Sequence, residues 1–145
     1  MQNYKNHRRY YPFHHYVITP LTFFFLSWSF WNVSEALDNE QDIALSIYFL
    51  TGAMILFFLP IIARIYALKN QNRTIRLEMR LRYFQLTGKP FHQMEKKLRL
   101  SQIVALRFAG SKELLSLMER AIKENLTPKE IKKSIKDWQS DNYRV

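Results

Sequence analysis

Two stretches of the chain are almost entirely apolar, and both are long enough to cross a lipid bilayer. They cover residues 16–33 and 43–63, and neither contains Asp, Glu, Lys, Arg or His. A hydrocarbon core about 30 Å thick needs about 20 apolar residues in a helix. The pattern therefore predicts two transmembrane helices. The second is the more apolar, because Pro20 and several polar residues interrupt the first.

Charge is distributed unevenly around these two stretches. Residues 1–15 carry three basic residues and no acidic one, residues 34–42 carry four acidic residues and no basic one, and residues 64–145 carry 19 basic and 8 acidic residues. Basic residues are retained on the cytoplasmic side of a membrane. The pattern predicts a hairpin with a short acidic external loop and both termini in the cytoplasm. A cleavable signal peptide ending near Ser34-Glu35-Ala36 is an alternative that leaves one span.

Beyond the second apolar stretch, the helical pattern continues to Thr87, where Gly88 can end a helix in the left-handed conformation. At 100° per residue, this segment has one apolar face, a basic stripe beside it and a second apolar patch. Two apolar faces predict two neighbours: the chain's own C-terminal helices, and lipid, a second copy or a partner protein. The residues predicted to bind a partner are Ile65, Leu68, Ile75, Leu77, Met79, Leu81 and Phe84.

Glycine and proline divide the remaining sequence into four shorter predicted helices. They cover residues 91–98, 101–109, 111–124 and 128–138, with Ser101 and Ser111 as the N-caps of the second and third. The last helix has the clearest signal, because Thr127-Pro128-Lys129-Glu130 is a capping box with proline at the first helical position. Its apolar face is predicted to contain Ile131, Ile135 and Trp138.

Two groups of basic residues are candidate contacts for anionic lipid or RNA. One is the stripe of Lys69, Arg73, Arg76 and Arg80, and the other is the lysine face of the last predicted helix, formed by Lys129, Lys132, Lys133 and Lys136. Anionic lipid and nucleic-acid phosphates both attract such residues, and a solvated surface is the simpler alternative. The last two helices also have the outline of a helix-turn-helix. Sequence-specific DNA binding is not expected, because no Asn, Gln or Arg lies early in the second helix to read a base edge.

The residue types that catalysis and metal binding need are scarce. The chain has no cysteine, three glycines and four histidines, and it lacks the G-x-S-x-G, P-loop, H-E-x-x-H and Gly-rich dinucleotide motifs. No acidic residue lies near His14 and His15 in the sequence to complete a metal site. We therefore expect no enzyme activity, no cofactor and no metal. A transport role would need a partner to supply the polar pathway, since the apolar stretches have no ionisable group.

Several stretches resemble a small family of uncharacterised bacterial inner-membrane proteins that is catalogued as a domain of unknown function. They are YKNHRRYYPFHHY, ARIYALKNQNRTIRLEMRLRYFQLTG, LSQIVALRFAG and ENLTPKEIKKSIKDWQSDNYRV, and the block from Ala63 to Gly88 is the most specific. The resemblance covers nearly the whole chain. It implies the same two-span hairpin and cytoplasmic helical region in the inner membrane, and it assigns no residue a role.

The combined prediction is an all-α protein, with a two-helix transmembrane hairpin followed by a long juxtamembrane helix and a small cytoplasmic helical domain. The predicted divisions are a basic N-terminus (1–15), two spans (16–33 and 43–63), an external loop (34–42) and a basic domain (64–145). The expected role is a non-enzymatic accessory or scaffolding subunit of a membrane complex, whose neighbours are the bilayer and a protein partner or further copies of the chain. The alternatives are a membrane-tethered electrostatic contact with RNA or a ribosome, and a subunit of a transport complex.

Overall fold

Most of the chain is helical in the computed structural model, which describes residues 3, 4, 6, 11–39 and 42–141. One π-helical turn, His14–Ile18, precedes α1 (Thr19–Asp38), α2 (Ile43–Thr87), α3 (His92–Glu95), α4 (Leu100–Leu106), α5 (Ser111–Lys123) and α6 (Pro128–Ser134). Within the described ranges there is no β-strand, and the sole β feature is an isolated bridge between Ala109 and Trp138. The predicted all-α class is therefore confirmed.

The chain divides into two compact units. The N-terminal unit contains the described residues within 10–67, and the C-terminal unit contains those within 68–145 together with residues 3, 4 and 6. Helix α2 is continuous from one unit into the other. The basic residues of the predicted N-terminal segment, Lys5, Arg8 and Arg9, lie outside the described residues, as does Glu40 of the predicted acidic loop.

Polar groups inside the apolar helices of the N-terminal unit are accommodated by the helices themselves. Pro20 lies in the first turn of α1, where its missing N–H costs least. The hydroxyl groups of Ser27, Ser29 and Thr51 donate to carbonyl oxygens four residues earlier, at oxygen–oxygen distances of 3.0, 2.8 and 2.9 Å. Helices that satisfy their own polar groups are the kind that hydrocarbon can accommodate.

Burial in the N-terminal unit is the reverse of that in a water-soluble core. Among its described residues the buried ones are small, namely Ser29, Ala36 and Ala53. Most of its large apolar side chains are exposed, including Phe23, Phe24, Trp28, Phe30, Trp31, Leu45, Tyr48, Ile55, Phe58 and Leu59. Water-soluble proteins seldom expose so large a contiguous apolar surface, so this pattern indicates an apolar surrounding.

One helix among the described residues is long and apolar enough to cross a membrane, and it is α2. Its most apolar 18-residue stretch has a mean hydropathy of 2.2 and is only 6% buried, whereas the core helix of a soluble protein would be mostly buried. Helix α1 does not meet the same criterion, because Ser, Thr, Trp and Asn are mixed with its phenylalanines. The structure thus supports one candidate span, and the predicted hairpin of two transmembrane helices is not shown.

The core of the C-terminal unit is formed by one side of α2 and by the shorter helices that follow. Ile75 and Met79 of α2 are 2% and 1% exposed. The other large members of this core are Phe91, Leu98, Ile103, Leu106, Leu114, Leu117, Met118, Leu126 and Ile131. Burying a large aliphatic side chain contributes about 1.5–3 kcal/mol. The burial of Ile75 and Met79 therefore holds this part of α2 firmly to the unit.

The end of α2 lies where the sequence predicts it. The helix ends at Thr87, and Gly88 follows with a φ of +66°, the left-handed conformation that glycine adopts without strain. Its N–H donates to the carbonyl oxygen of Phe84 at 2.7 Å. The prediction of one unbroken helix from the second apolar stretch to Thr87 is confirmed.

Three predicted helices have boundaries that differ from those of the structure by one to three residues. The predicted helix over 91–98 is shortened to α3, and α4 begins at Leu100, because the Gln102 side chain accepts a hydrogen bond from the Arg99 N–H at 2.8 Å. Ser101 is therefore inside α4 and is not its N-cap. Likewise, Ser111 is the first residue of α5, and Gly110 occupies the N-cap position.

The capping box of α6 is confirmed, but the helix is shorter than predicted. The Thr127 N–H donates to a Glu130 carboxylate oxygen at 2.7 Å, and the Glu130 N–H donates to the Thr127 hydroxyl at 3.3 Å. The Thr127 hydroxyl also donates to this carboxylate at 2.7 Å, and the two hydrogen bonds from the Thr127 N–H and hydroxyl lower the pKa of the Glu130 carboxyl group. The helix ends at Ser134 instead of reaching Trp138, because the residues that follow pair with the α4–α5 connection.

The segment after α6 forms a second, non-helical contact with the core. The Gly110 N–H donates to the Asp137 carbonyl oxygen at 2.7 Å, and the Gln139 N–H donates to that of Phe108 at 2.8 Å. The Trp138 ring stacks on the Phe108 ring with centroids 4.9 Å apart. We refer to residues 135–141 as the C-terminal clasp.

The close approach of the C-terminal clasp to Gly110 gives a stability prediction. A Cβ at Gly110 would overlap the Asp137 side chain, including its Cβ at 2.9 Å. Gly110→Ala should therefore destabilise the protein by about 1–3 kcal/mol, the usual cost of overpacking. The measurement is urea unfolding of the full chain in mild detergent, followed by near-ultraviolet circular dichroism.

An Asp137→Gly background serves as the control, because it removes the overlapping side chain. In that background, Gly110→Ala should lower the free energy of unfolding by less than it does in the parent chain. An equal loss of stability in both backgrounds would contradict the steric explanation.

Candidate protein-interaction surface

The side of α2 opposite to the core of the C-terminal unit carries three large apolar residues. Leu77, Leu81 and Phe84 are spaced four and three residues apart, so they lie on one face of the helix. They are 58%, 59% and 55% exposed. We call these three residues the outer face of α2. The second apolar patch predicted from the sequence is therefore left uncovered by the residues that the structure describes.

The other predicted partner-binding residues of α2 have different surroundings. Ile75 and Met79 are buried in the core of the C-terminal unit, so the prediction that they bind a partner is wrong. Leu68 is half-buried, and Ile65 is exposed. Of the seven predicted residues, those of the outer face and Ile65 remain accessible to another molecule.

The basic stripe of α2 is partly occupied by an acidic residue of α3. The Arg80 Nε lies 2.7 Å from one Glu95 carboxylate oxygen, and the Arg76 Nη1 lies 3.9 Å from the other. The Glu95 side chain is 11% exposed, and both arginines are about half exposed. The hydrogen bond from Arg80 is the largest influence on Glu95 and lowers the pKa of its carboxyl group, while burial acts in the opposite direction. The same hydrogen bond raises the pKa of the Arg80 guanidinium.

This geometry changes the predicted role of the stripe. Arg76 and Arg80 are paired with Glu95 of α3, so part of their charge is balanced within the protein, although both side chains stay about half exposed. Lys69 and Arg73, closer to the apolar part of α2, are exposed. Sequence reasoning did not single out Glu95, since an acidic residue in a predicted short helix carries no signal of its partner.

A third arginine of α2, which the sequence analysis did not single out, attaches the helix to the α4–α5 connection. Arg82 donates through Nη1 to the carbonyl oxygen of Arg107 at 3.1 Å, and through Nη2 to the carbonyl oxygen of Ala109 at 2.5 Å and the hydroxyl of Ser111 at 3.3 Å. Burial lowers the pKa of its guanidinium, and the charge of Asp137 opposes this effect. A cation at the C-terminal end of α4 is also favoured by the helix dipole.

A signal for Arg82 was present in the sequence. It lies seven residues after Ile75, which places it on the same side of the helix. A charged residue on a buried helical face needs a polar partner. Here the partners are backbone carbonyl groups at the end of a helix, which sequence reasoning cannot locate.

The predicted lysine face of the last helix does not exist as one surface. Lys129 and Lys133 are exposed on α6, but Lys136 lies beyond its end, and its N–H donates to the Glu113 carboxylate at 3.1–3.2 Å. Lys132 is half-buried, and its Nζ lies 5.4 Å from the centroid of the Phe108 ring, a cation–π contact. The four lysines therefore do not form the continuous helical stripe that the sequence predicts.

A groove of about 560 Å³ lies on the C-terminal unit, on the part of α2 nearer to the apolar stretch. It is lined by Asn72, Leu100, Ser101, Val104, Pro128 and Lys132. Its lining contains one titratable side chain, Lys132, among the described residues. Over the whole part of the chain that the structure describes, no group of three or more His, Asp and Glu side chains is arranged to hold a metal ion.

The Glu95 cluster gives a pH prediction. Because the folded protein lowers the pKa of Glu95, the cluster stabilises the fold above the usual carboxyl pKa of about 4.3, and this contribution is lost as the pH falls through the lowered value. Glu95→Gln should therefore reduce the stability at pH 7. The difference from the parent chain should shrink at pH values below 4. Thermal unfolding of both proteins in detergent at a series of pH values measures this difference in stability.

Glu119→Gln, an exposed position on α5, is the matched control for the Glu95 prediction. It should change the pH profile less than Glu95→Gln. A stability difference for Glu95→Gln that stays constant from pH 7 to pH 3 would contradict the assigned ionisation.

Comparison with known families gives one match, which covers the chain from end to end. Residues 1–145 match the family described as "Family of unknown function (DUF6526)". Comparison with curated proteins gives no match, and comparison with solved structures gives none either. The resemblance to a family of unknown function is thereby confirmed, while its bacterial and membrane aspects stay predictions. The chain belongs to this family of unknown function, DUF6526.

Proposed function

We propose that the protein is a non-enzymatic, membrane-anchored accessory or scaffolding subunit of a membrane protein complex, and that it binds a protein partner through the outer face of α2. The observation that carries the proposal is the exposure of Leu77, Leu81 and Phe84 on a helix whose opposite side packs into its own core through Ile75 and Met79. Exposed apolar residues grouped on one rigid face are typical of interaction sites.

The membrane anchor in this proposal is the apolar part of α2, residues 43–63. The large exposed side chains of this segment would be unfavourable in water, because burial of apolar surface is worth about 25 cal/mol per Å². Hydrocarbon removes that cost, and a helix has no unpaired backbone groups along its interior. Both considerations support insertion of this segment into a bilayer.

The side of the membrane follows from charge. Residues 64–145 carry 19 basic and 8 acidic residues, which favours a cytoplasmic position for the C-terminal unit. The resemblance of the sequence to inner-membrane proteins favours the bacterial inner membrane. The outer face of α2 would then be presented to partners in the cytoplasm.

The finer topology, a two-helix hairpin with both termini in the cytoplasm, rests on α1. This helix has 20 residues, and no residue from Thr19 to Ser34 is charged. Its exposed aromatic side chains, such as Phe23, Trp28 and Trp31, favour lipid over water. The mean hydropathy of α1 is lower than that of α2, which argues against a second span. An experiment that counts the membrane crossings is therefore decisive.

Single cysteines can count the crossings, because the chain has none of its own. Asn3→Cys, Asn39→Cys and Ser140→Cys place one thiol at an exposed site before α1, between α1 and α2, and after α6. With two spans, a membrane-impermeant maleimide should label intact spheroplasts at position 39, and should label positions 3 and 140 only after lysis.

Two other labelling patterns have clear meanings. Labelling of positions 3 and 39 from outside would leave α2 as the single span and overturn the hairpin. Labelling of position 140 from outside, or release of the protein from membranes by alkaline carbonate, would overturn the proposed anchor and its orientation.

A photo-crosslinking residue can test whether a protein covers the outer face. Benzoylphenylalanine at Leu81 should give ultraviolet-dependent adducts of higher mass in intact cells. The same residue at Leu86, which is 38% exposed on the other side of α2, is the matched control and should give few or none. Adducts to lipid alone at Leu81, with no shift to the mass of a protein conjugate, would overturn the proposed function.

The two alternatives from the sequence gain no specific support. An RNA or ribosome contact relied on a lysine face that α6 does not present as one surface. A transport subunit would need polar groups from other chains, because the apolar segments have no ionisable residue.

A further inference from the structure

The exposed residues of the second part of α2 follow a seven-residue repeat. In coiled-coil notation, positions a and d are Ala63 (d), Ala67 (a), Asn70 (d), Thr74 (a), Leu77 (d), Leu81 (a) and Phe84 (d), and all seven are exposed. The spacing alternates between four and three residues, which is the pattern of a two-stranded coiled-coil seam. The repeat spans three heptads, from small residues at one end to large apolar residues at the other.

The remaining heptad positions agree with such a seam. The core-facing residues Ile75 and Met79 fall at positions b and f, which point away from a coiled-coil partner. The C-terminal unit therefore packs on the outside of the seam. Positions a and d and the flanking Arg73 and Glu78 stay exposed, whereas Arg80, also at position g, is paired with Glu95 of α3. A partner helix can approach α2 without displacing the core of the unit.

The charges beside the seam identify the partner. Arg73 is at position g, and Glu78 is at position e, five residues later; both are exposed. In a parallel two-stranded coiled coil, position g of one helix lies beside the e position five residues later in the other. Two copies of α2 in register would thus form two symmetric Arg73–Glu78 pairs, one on each side of the seam.

We propose that a second copy of this chain covers the outer face of α2, and that the two α2 helices form a parallel, in-register coiled coil over residues 63–84. This inference rests on the proposed function, because it names the partner for the same surface. It also uses the proposed membrane anchor. Two copies inserted by the same helix in one bilayer are parallel and at equal depth, which sets the register and raises their effective concentration.

In-register contact can be tested by disulfide formation in native membranes. Leu77→Cys and Phe84→Cys place one thiol at a d position in the full chain, and Leu86→Cys, at position f, is the matched control. Mild oxidation should give a dimer band at least about fivefold stronger at positions 77 and 84 than at position 86, because a disulfide requires Cβ atoms about 3.5–4.5 Å apart. Equal bands at all three positions would indicate random collision and overturn the proposal.

Charge exchange tests whether the partner carries the same residues. In the Leu77→Cys background, Arg73→Glu alone and Glu78→Arg alone should each lower the dimer band by at least about fivefold, because two repulsive contacts replace two attractive ones. The combined variant Arg73→Glu/Glu78→Arg should restore it. Glu119→Arg on α5 is the control and should leave the band unchanged. Failure of the combined variant to recover, with normal amounts of protein in the membrane, would overturn the parallel self-association.

The outcomes separate this inference from the proposed function. Adducts of Leu81 benzoylphenylalanine to a different protein, with no disulfide dimer at position 77, would overturn the homodimer and leave the proposed partner-binding function intact. Absence of both the disulfide dimer and the protein adduct would overturn both. A disulfide dimer at position 77 with rescue by the charge exchange would establish the second copy as the occupant.

Discussion

The packing of Ile75 and Met79 into the C-terminal core fixes the rotation of α2 about its own axis, and the rest of the interaction surface depends on that rotation. Both side chains are almost completely buried. Arg82, on the same side, ties the helix to the carbonyl groups that follow α4. With this side occupied, the helical geometry places Leu77, Leu81 and Phe84 on the opposite side. Their exposure therefore follows from the core and is not a property of a flexible loop.

One continuous helix has to satisfy two different surroundings. Up to residue 63 most of its large side chains are exposed, apart from a narrow stripe that contains the half-buried Leu50 and Phe57 and the buried Ala53. Beyond Leu68 one side is buried, one stripe is basic and one side is apolar and exposed. In this second part the core and the Glu95 ion pairs hold the helix in one rotation about its axis. A change in that core would alter which residues the helix presents, even though the anchor stays the same.

Local signals in the sequence were sufficient to predict some helices and helix ends, and insufficient to predict others. The continuous helix to Thr87, its end at Gly88 and the capping box of α6 follow from neighbouring residues, and the structure contains all three. The end of α6 does not follow from neighbouring residues. The helix stops at Ser134 and does not reach Trp138, because the residues after it pair with the α4–α5 connection, and periodicity cannot reveal such a long-range pairing. Length and the absence of charge predicted α1 as a span, but the Pro, Ser, Thr, Trp and Asn among its phenylalanines leave its hydropathy below that of a candidate span. For the interaction surface, periodicity identified the two apolar faces but could not decide which one the chain's own core would cover.

The outer face of α2 also has consequences for how association would occur. Because the core of the C-terminal unit holds the helix in place, the three apolar residues are already arranged before any partner arrives. No helix has to form on binding, so the ordering cost that weakens the binding of unfolded segments does not arise. The surface is nevertheless small, with three large side chains and short polar flanks. A seam of this size is weak between molecules free in solution, and it becomes effective when a shared bilayer keeps the partners close and parallel. In the proposed dimer the anchor and the outer face would act together, because the apolar part of α2 would supply proximity and the exposed seam would supply specificity.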